Sequence, residues 1–141
     1  MALRAPLLTA ALALAAAALA PALGHAGELH DVTTTPAQGK VGVKGTANVT
    51  LSAKNGWHLN EQAPVSLKLA PGPGITVEKA KLVRKDLAEA GKEKARFDVA
   101  FTASEPGKKT IDGEANFVIC QEQACKPVKE KITLAVDVAA K

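Results

Sequence analysis

The chain has 141 residues, with 18 Lys and Arg against 14 Asp and Glu, for a net charge of +4. The basic residues are scattered rather than blocked, and a mild, dispersed excess of this kind serves solubility without building a phosphate-binding stripe. Aromatic residues make up 3% of the sequence, with one Trp and no Tyr, so a surface for stacking nucleic-acid bases is excluded.

The chain opens on Met-Ala-Leu-Arg, and residues 5–23 are nearly all Ala and Leu. Gly24-His25-Ala26-Gly27 follows, with small residues three and one before a cut after Ala26. A basic start, an apolar middle and a small-residue exit predict a Sec-type signal peptide over residues 1–26. The run is alanine-dominated and broken by Pro6 and Pro21, so it is weaker than a leucine-rich membrane span. No cysteine lies near the cut, which argues against a lipid anchor. The expected location is the periplasm or the medium, with no stable membrane insertion after cleavage. Residues 27–141 then make one domain, large enough to hold its own core.

Within that domain, period-2 alternation dominates. Short candidate strands fall at residues 29–34 and 40–44. Ala47, Val49, Leu51 and Ala53 alternate with polar residues up to Asn55-Gly56, a turn signal. Val65, Leu67 and Leu69 alternate up to Pro71-Gly72-Pro73-Gly74, and residues 75–82 are a further candidate. Residues 84–90 read as a helical turn or a long loop. Ala95, Phe97, Val99, Phe101 and Ala103 alternate before Glu105-Pro106-Gly107. Ile111, Ala115, Phe117 and Ile119 come next, with Gly113 as a possible bulge. Ile132, Leu134, Val136 and Val138 close the chain. About seven or eight short strands at this spacing, with half-buried alternation, predict an all-β, immunoglobulin-like antiparallel β-sandwich. A closed barrel is the alternative.

The segment Phe117-Val118-Ile119-Cys120-Gln121-Glu122-Gln123-Ala124-Cys125-Lys126-Pro127-Val128 carries the chemistry. In the simplest hairpin register Cys120 and Cys125 oppose each other, roughly 4.5–5.5 Å apart at Cα, within reach of a disulfide. An exported protein favours the oxidised pair. Phe117 and Ile119 face the core by parity, as do Val128, Ile132 and Leu134. Both sulfurs are therefore expected on the outer face of the hairpin, open to a partner. Closing so short a loop contributes only about 2 kcal/mol of chain entropy, so the bridge is a poor global staple. Such a bridge can serve thiol–disulfide exchange, and it can equally be a plain structural bridge in a binding domain.

Cys120-Gln-Glu-Gln-Ala-Cys125-Lys-Pro resembles the active-site hairpin of the N-terminal domain of the thiol:disulfide interchange protein DsbD, the disulfide bond corrector domains. Gly56-Trp57-His58-Leu59-Asn60 followed by Pro64 is similar to a Gly-aromatic-His-hydrophobic-Asn stretch of that family. The resemblance spans most of residues 29–138. It implies an immunoglobulin-like domain whose Cys120 and Cys125 pass reducing equivalents to or from periplasmic thiol or disulfide proteins. It also implies that Cys125 joins the partner and Cys120 resolves the mixed disulfide. Lys126 beside Cys125 favours a thiolate there, while Glu122 disfavours one at Cys120. The chain departs from the family in its hairpin spacing. The family's aromatic cap loop has no counterpart located in this sequence, and residues 84–93 contain no aromatic residue. The family's membrane electron conduit would have to be a separate protein.

Other chemistries find little footing. A thioredoxin-type site needs two residues between its cysteines at a helix start. Blue copper needs one Cys, two His and usually an axial Met; beyond the leader the chain has His30 and His58 and no Met. Zinc cannot be ligated by an oxidised cysteine pair. No cofactor and no metal is expected. Ser52, Ser66 and Ser104 lack triad partners at recognisable spacing. Trp57 reads as a core or edge packing residue, His58 as a solvent-facing or hydrogen-bonded strand residue, and Asn60 as a turn or cap residue.

Overall fold

The computed structural model describes residues 24–26 and 29–141. The leader expected over residues 1–26 therefore lies almost wholly outside the described residues. Twelve strands are present among them: β1 (Gly24–Ala26), β2 (His30–Thr35), β3 (Ala37–Lys40), β4 (Gly45–Ala53), β5 (His58–Leu59), β6 (Ser66–Pro71), β7 (Ile75–Val77), β8 (Lys81–Val83), β9 (Leu87–Glu89), β10 (Lys94–Ala103), β11 (Gly107–Gln121) and β12 (Ala124–Ala139).

They form two sheets. The first runs β1-β2-β4-β10-β7, with β9 also on β10; the second runs β3-β12-β11-β6-β8, with β5 also on β11. The orders β2-β4-β10-β7 and β12-β11-β6 are the ABED and GFC sheets of an immunoglobulin-like sandwich. Alternation is the cause. Phe97, Val99 and Phe101 of β10 meet Ile111, Ala115, Phe117 and Ile119 of β11 in one buried layer, each 4% exposed or less. Apart from Cys120, the alternating partners of these residues are half-buried or exposed, as half-buried strands require.

Local chemistry explains where the strands depart from the sequence reading. The strand expected at 40–44 lies at Ala37–Lys40 instead. Pro36 has no N–H to give a ladder, and there the chain leaves β2 in the first sheet and enters β3 in the second. Gly42, at φ 77°, then turns it toward β4. β3 runs parallel to β12, so pairing is not antiparallel throughout. The candidate strand at 75–82 is two strands in different sheets, β7 on β10 and β8 on β6. Residues 84–90 hold one 3-10 turn, Arg84–Asp86, and then β9.

Gly113 is no bulge. Register continues unbroken through Gly113↔Ile132 and Gly113↔Leu69. A β-carbon there would lie 3.1 Å from Ile132 Cγ1 and 3.2 Å from the Lys68 carbonyl oxygen. The glycine thus permits close packing within an ordinary strand.

Candidate functional site

Strands β11 and β12 form a long hairpin whose register runs from Gly107↔Val138 to Gln121↔Ala124. Only Glu122 and Gln123 lie beyond the last pair. This places Cys120 opposite Cys125, as the simplest hairpin register predicted, and the two form a disulfide with Cα atoms 4.0 Å apart.

The two sulfurs do not share one environment. The expectation that both lie open on the outer face holds for Cys125, which is exposed, and fails for Cys120, which is 6% exposed. Cys120 nevertheless stands outside the hydrophobic cluster between the sheets, so its outward parity is correct. Its cover is the neighbouring chain. β5 pairs with the end of β11 through Leu59↔Ile119 and His58↔Cys120, and the Asn60 N–H donates to the Val118 carbonyl at 2.9 Å.

This cover is built from a turn. Asn55 and Gly56 adopt positive φ, 56° and 83°, the backbone of a type I′ turn. Trp57 leaves it half-buried against the core, and His58 faces solvent; both match the sequence reading. The Asn60 side chain closes the next turn. Its Oδ1 accepts the N–H groups of Gln62 (2.9 Å) and Ala63 (3.1 Å). With Oδ1 so fixed, Nδ2 points at Cys120 Sγ, 3.5 Å away, within reach of a hydrogen bond to sulfur. Arg84 clamps the same loop, donating through its guanidinium to the Asn60 carbonyl at 3.0 Å and to the Ala63 carbonyl.

The structure thus brings the Gly56–Asn60 stretch and the cysteine hairpin together from about sixty residues apart in sequence. Sequence reasoning gave Asn60 a turn role and missed its contact with sulfur; Arg84 carried no signal at all. Beside the tip, two open depressions meet at Gly56. One of about 350 Å³ is lined by Gln121, Glu122 and Gln123, and one of about 550 Å³ by Trp57, His58 and Lys92.

The remaining candidates lie apart from the cysteines or take structural roles. His30 Nε2 contacts Glu130 Oε1 at 2.9 Å, and its ring meets Phe117 edge-on. Among the described residues, no three His, Cys, Asp or Glu side chains come together to hold a metal.

No protein-family model and no curated protein sequence matches this chain. Solved structures resemble it at the level of the fold. The major subunit AggA of aggregative adherence fimbriae type I from Escherichia coli is 14% identical, with a TM-score of 0.41 over 82% of this chain and 99% of that one. Domains 4 and 5 of the S-layer protein SbsC are 19% identical, with a TM-score of 0.44 over 80% of this chain and 52% of theirs. A cohesin module from a Clostridium perfringens family 33 glycoside hydrolase is 13% identical, with a TM-score of 0.41 over 86% of this chain and all of that one.

Proposed function

We propose that this disulfide-bonded β-sandwich is an exported thiol–disulfide exchange module working through Cys120 and Cys125. The observation that carries the reading is the asymmetry of the bridge. One sulfur is exposed, and the other is covered and faces an amide donor. Exchange needs an accessible sulfur to attack and a leaving sulfur whose developing charge is stabilised.

The chemistry follows from that placement. A partner thiolate attacks Cys125 Sγ, forming a partner–Cys125 disulfide while the Cys120–Cys125 bond breaks. Cys120 departs as a thiolate with the electron pair of that bond, and the Asn60 amide N–H donates to it. A second thiol of the partner then attacks the partner's own sulfur in the mixed disulfide. Cys125 is released as a thiolate, leaving the partner oxidised and the domain a dithiol. Run in reverse, the dithiol domain reduces a partner's disulfide, with Cys125 attacking and Cys120 resolving. Lys126, next to Cys125, favours the attacking thiolate. The partners are periplasmic thiol or disulfide proteins, which supply or accept the electrons. The disulfide itself supports an oxidising compartment, in keeping with the export signal read from residues 1–26.

A second reading has its own support. The bridge links two strands already paired along the whole hairpin, so it serves equally as a local brace in a structural or protein-binding domain. The reduction potential decides between them. Equilibration of the domain with glutathione buffers is expected to give about −200 mV, in the range of exchange proteins. A value below about −300 mV marks a structural bridge and overturns the exchange reading.

A further inference from the structure

The outer face of the second sheet is not uniform. Directly behind the Cys120↔Cys125 pair lie Val118 and Pro127, then Asn116 and Lys129, then Glu114 and Lys131. That last row continues across the sheet, with Glu114 opposite Lys68 on β6 and Lys68 opposite Lys81 on β8. Three exposed lysines and one glutamate therefore share a single row, with Lys129 one row nearer the sulfur.

The charges do not cancel. Glu114 is engaged locally: the Asn116 amide donates to it at 3.2 Å and Lys129 lies 3.7 Å away. The Asn116 hydrogen bond, with Lys129, Lys68 and Lys131 nearby, holds its carboxyl below the usual range. Among the described residues, Lys68, Lys81 and Lys131 enter no salt bridge. Asp112 in the next row accepts from the Thr133 hydroxyl at 3.0 Å and keeps its charge, so four lysines, Lys68, Lys81, Lys129 and Lys131, stand against the two carboxylates of Asp112 and Glu114. An open depression of about 680 Å³ lies on this face, where Lys68 and Lys131 line it together with Asp112 and Glu114; Lys81 and Lys129, outside it, make the face as a whole basic.

We propose that this face docks an acidic segment of the partner protein whose sulfur meets Cys125. The proposal rests on the exchange reading for the partner's thiol and on charge complementarity for its acidic segment. Lys131 lies six steps along β12 from Cys125, so the acidic segment sits roughly 20 Å from the reacting sulfur. Of the two rows between them, Val118 and Pro127 offer an apolar surface to the intervening chain, and Asn116 and Lys129 a polar one. A protein occupant is favoured over a lipid surface because the lysines and the exposed sulfur share one face of one sheet.

Two synthetic peptides test this, each with one cysteine and, six residues away, a run of four glutamates or four lysines. Two peptide thiols reduce one Cys120–Cys125 bridge and leave as a peptide disulfide. In low salt the glutamate peptide is expected to react about tenfold faster than the lysine peptide. That advantage should vanish at about 0.5 M salt and in K68Q/K81Q/K131Q, whose folding is verified by circular dichroism. Equal rates for the two peptides, or an advantage that survives the triple variant, overturns the proposal.

Binding of a cysteine-free, fluorescently labelled glutamate peptide, followed by anisotropy, separates this proposal from the exchange reading. If neither thiol peptide reduces the bridge, exchange falls. Docking stands if the labelled peptide still prefers wild type to the triple variant, and falls if it does not. Pelleting of the domain with phosphatidylglycerol vesicles through the same lysines, without peptide binding, assigns the face to lipid and overturns the proposal.

Discussion

At the scale of single residues, the site is defined by the different fates of two cysteines that face each other. Cys125 sits one residue into its strand at an open tip, while Cys120 lies under the chain that continues into Asn60. Thiol reactivity follows access and thiolate character. The free thiol of Cys120→Ser, at Cys125, is therefore expected to react with iodoacetamide at least about tenfold faster than the free thiol of Cys125→Ser, at Cys120. Equal rates would show that the cover over Cys120 does not hold in solution. Asn60 can be probed without unmaking its loop. Asn60→Asp keeps an oxygen for the Gln62 and Ala63 N–H groups but sets a negative acceptor against the sulfur. Reduction of the bridge by dithiothreitol is expected to slow at least about fivefold, roughly the 1 kcal/mol of one hydrogen bond. The melting temperature of the oxidised domain should change little, and an unchanged rate would remove Asn60 from the mechanism.

At the scale of elements, β11 and β12 are so extensively paired that the bridge at their tip adds little to holding them together. The connection between β8 and β9 is less secured by pairing and relies on Asp86. Its carboxylate accepts from Lys79 Nζ at 2.7 Å and from the Val83 N–H at 2.9 Å. Chiefly the Lys79 hydrogen bond, and then that of Val83, holds its pKa below the ordinary 3.8. A carboxyl whose folded pKa is depressed contributes stability that is present above its unfolded pKa and lost as the pH falls through the folded one. Asp86→Asn is therefore expected to lower the melting temperature most near neutral pH. The deficit should close on acidification below about pH 4, and thermal melts across that window check it. A deficit independent of pH would mean that the carboxylate's charge is not what secures the turn.

At the scale of the whole molecule, both sheets share one apolar layer, with Phe97, Phe101, Ile111 and Leu134 each 1% exposed or less. Close packing extends to the sandwich edge, where a β-carbon on Gly45 would lie 2.5 Å from the Phe101 ring. One polar contact also spans the sheets. His30 of β2 reaches Glu130 of β12, and its ring packs edge-on against Phe117. His30→Ala would strand a partly buried carboxylate and lose the ring contact. The expected cost is about 1–3 kcal/mol in denaturant unfolding. A single cooperative transition should remain, because the two sheets have no separate cores. A loss below a few tenths of a kcal/mol would show that the pair is ornamental to stability.

The sandwich was legible in the sequence because its strands alternate, and alternation reports the buried face of a strand directly. The simplest hairpin register determined that Cys120 opposes Cys125, and parity that Phe117, Ile119, Val128 and Leu134 point inward. Parity could not reveal that Pro36 moves the chain between sheets, nor that residues 75–82 divide between them, because sheet membership depends on remote partners. It could not reveal the cover over Cys120 either. That cover comes from a segment about sixty residues away, positioned by an Asn60 turn and an Arg84 clamp. The local pattern determined which way each side chain points, and only the tertiary structure decided what stands in front of it, since burial on an outward face is set by contacts distant in sequence.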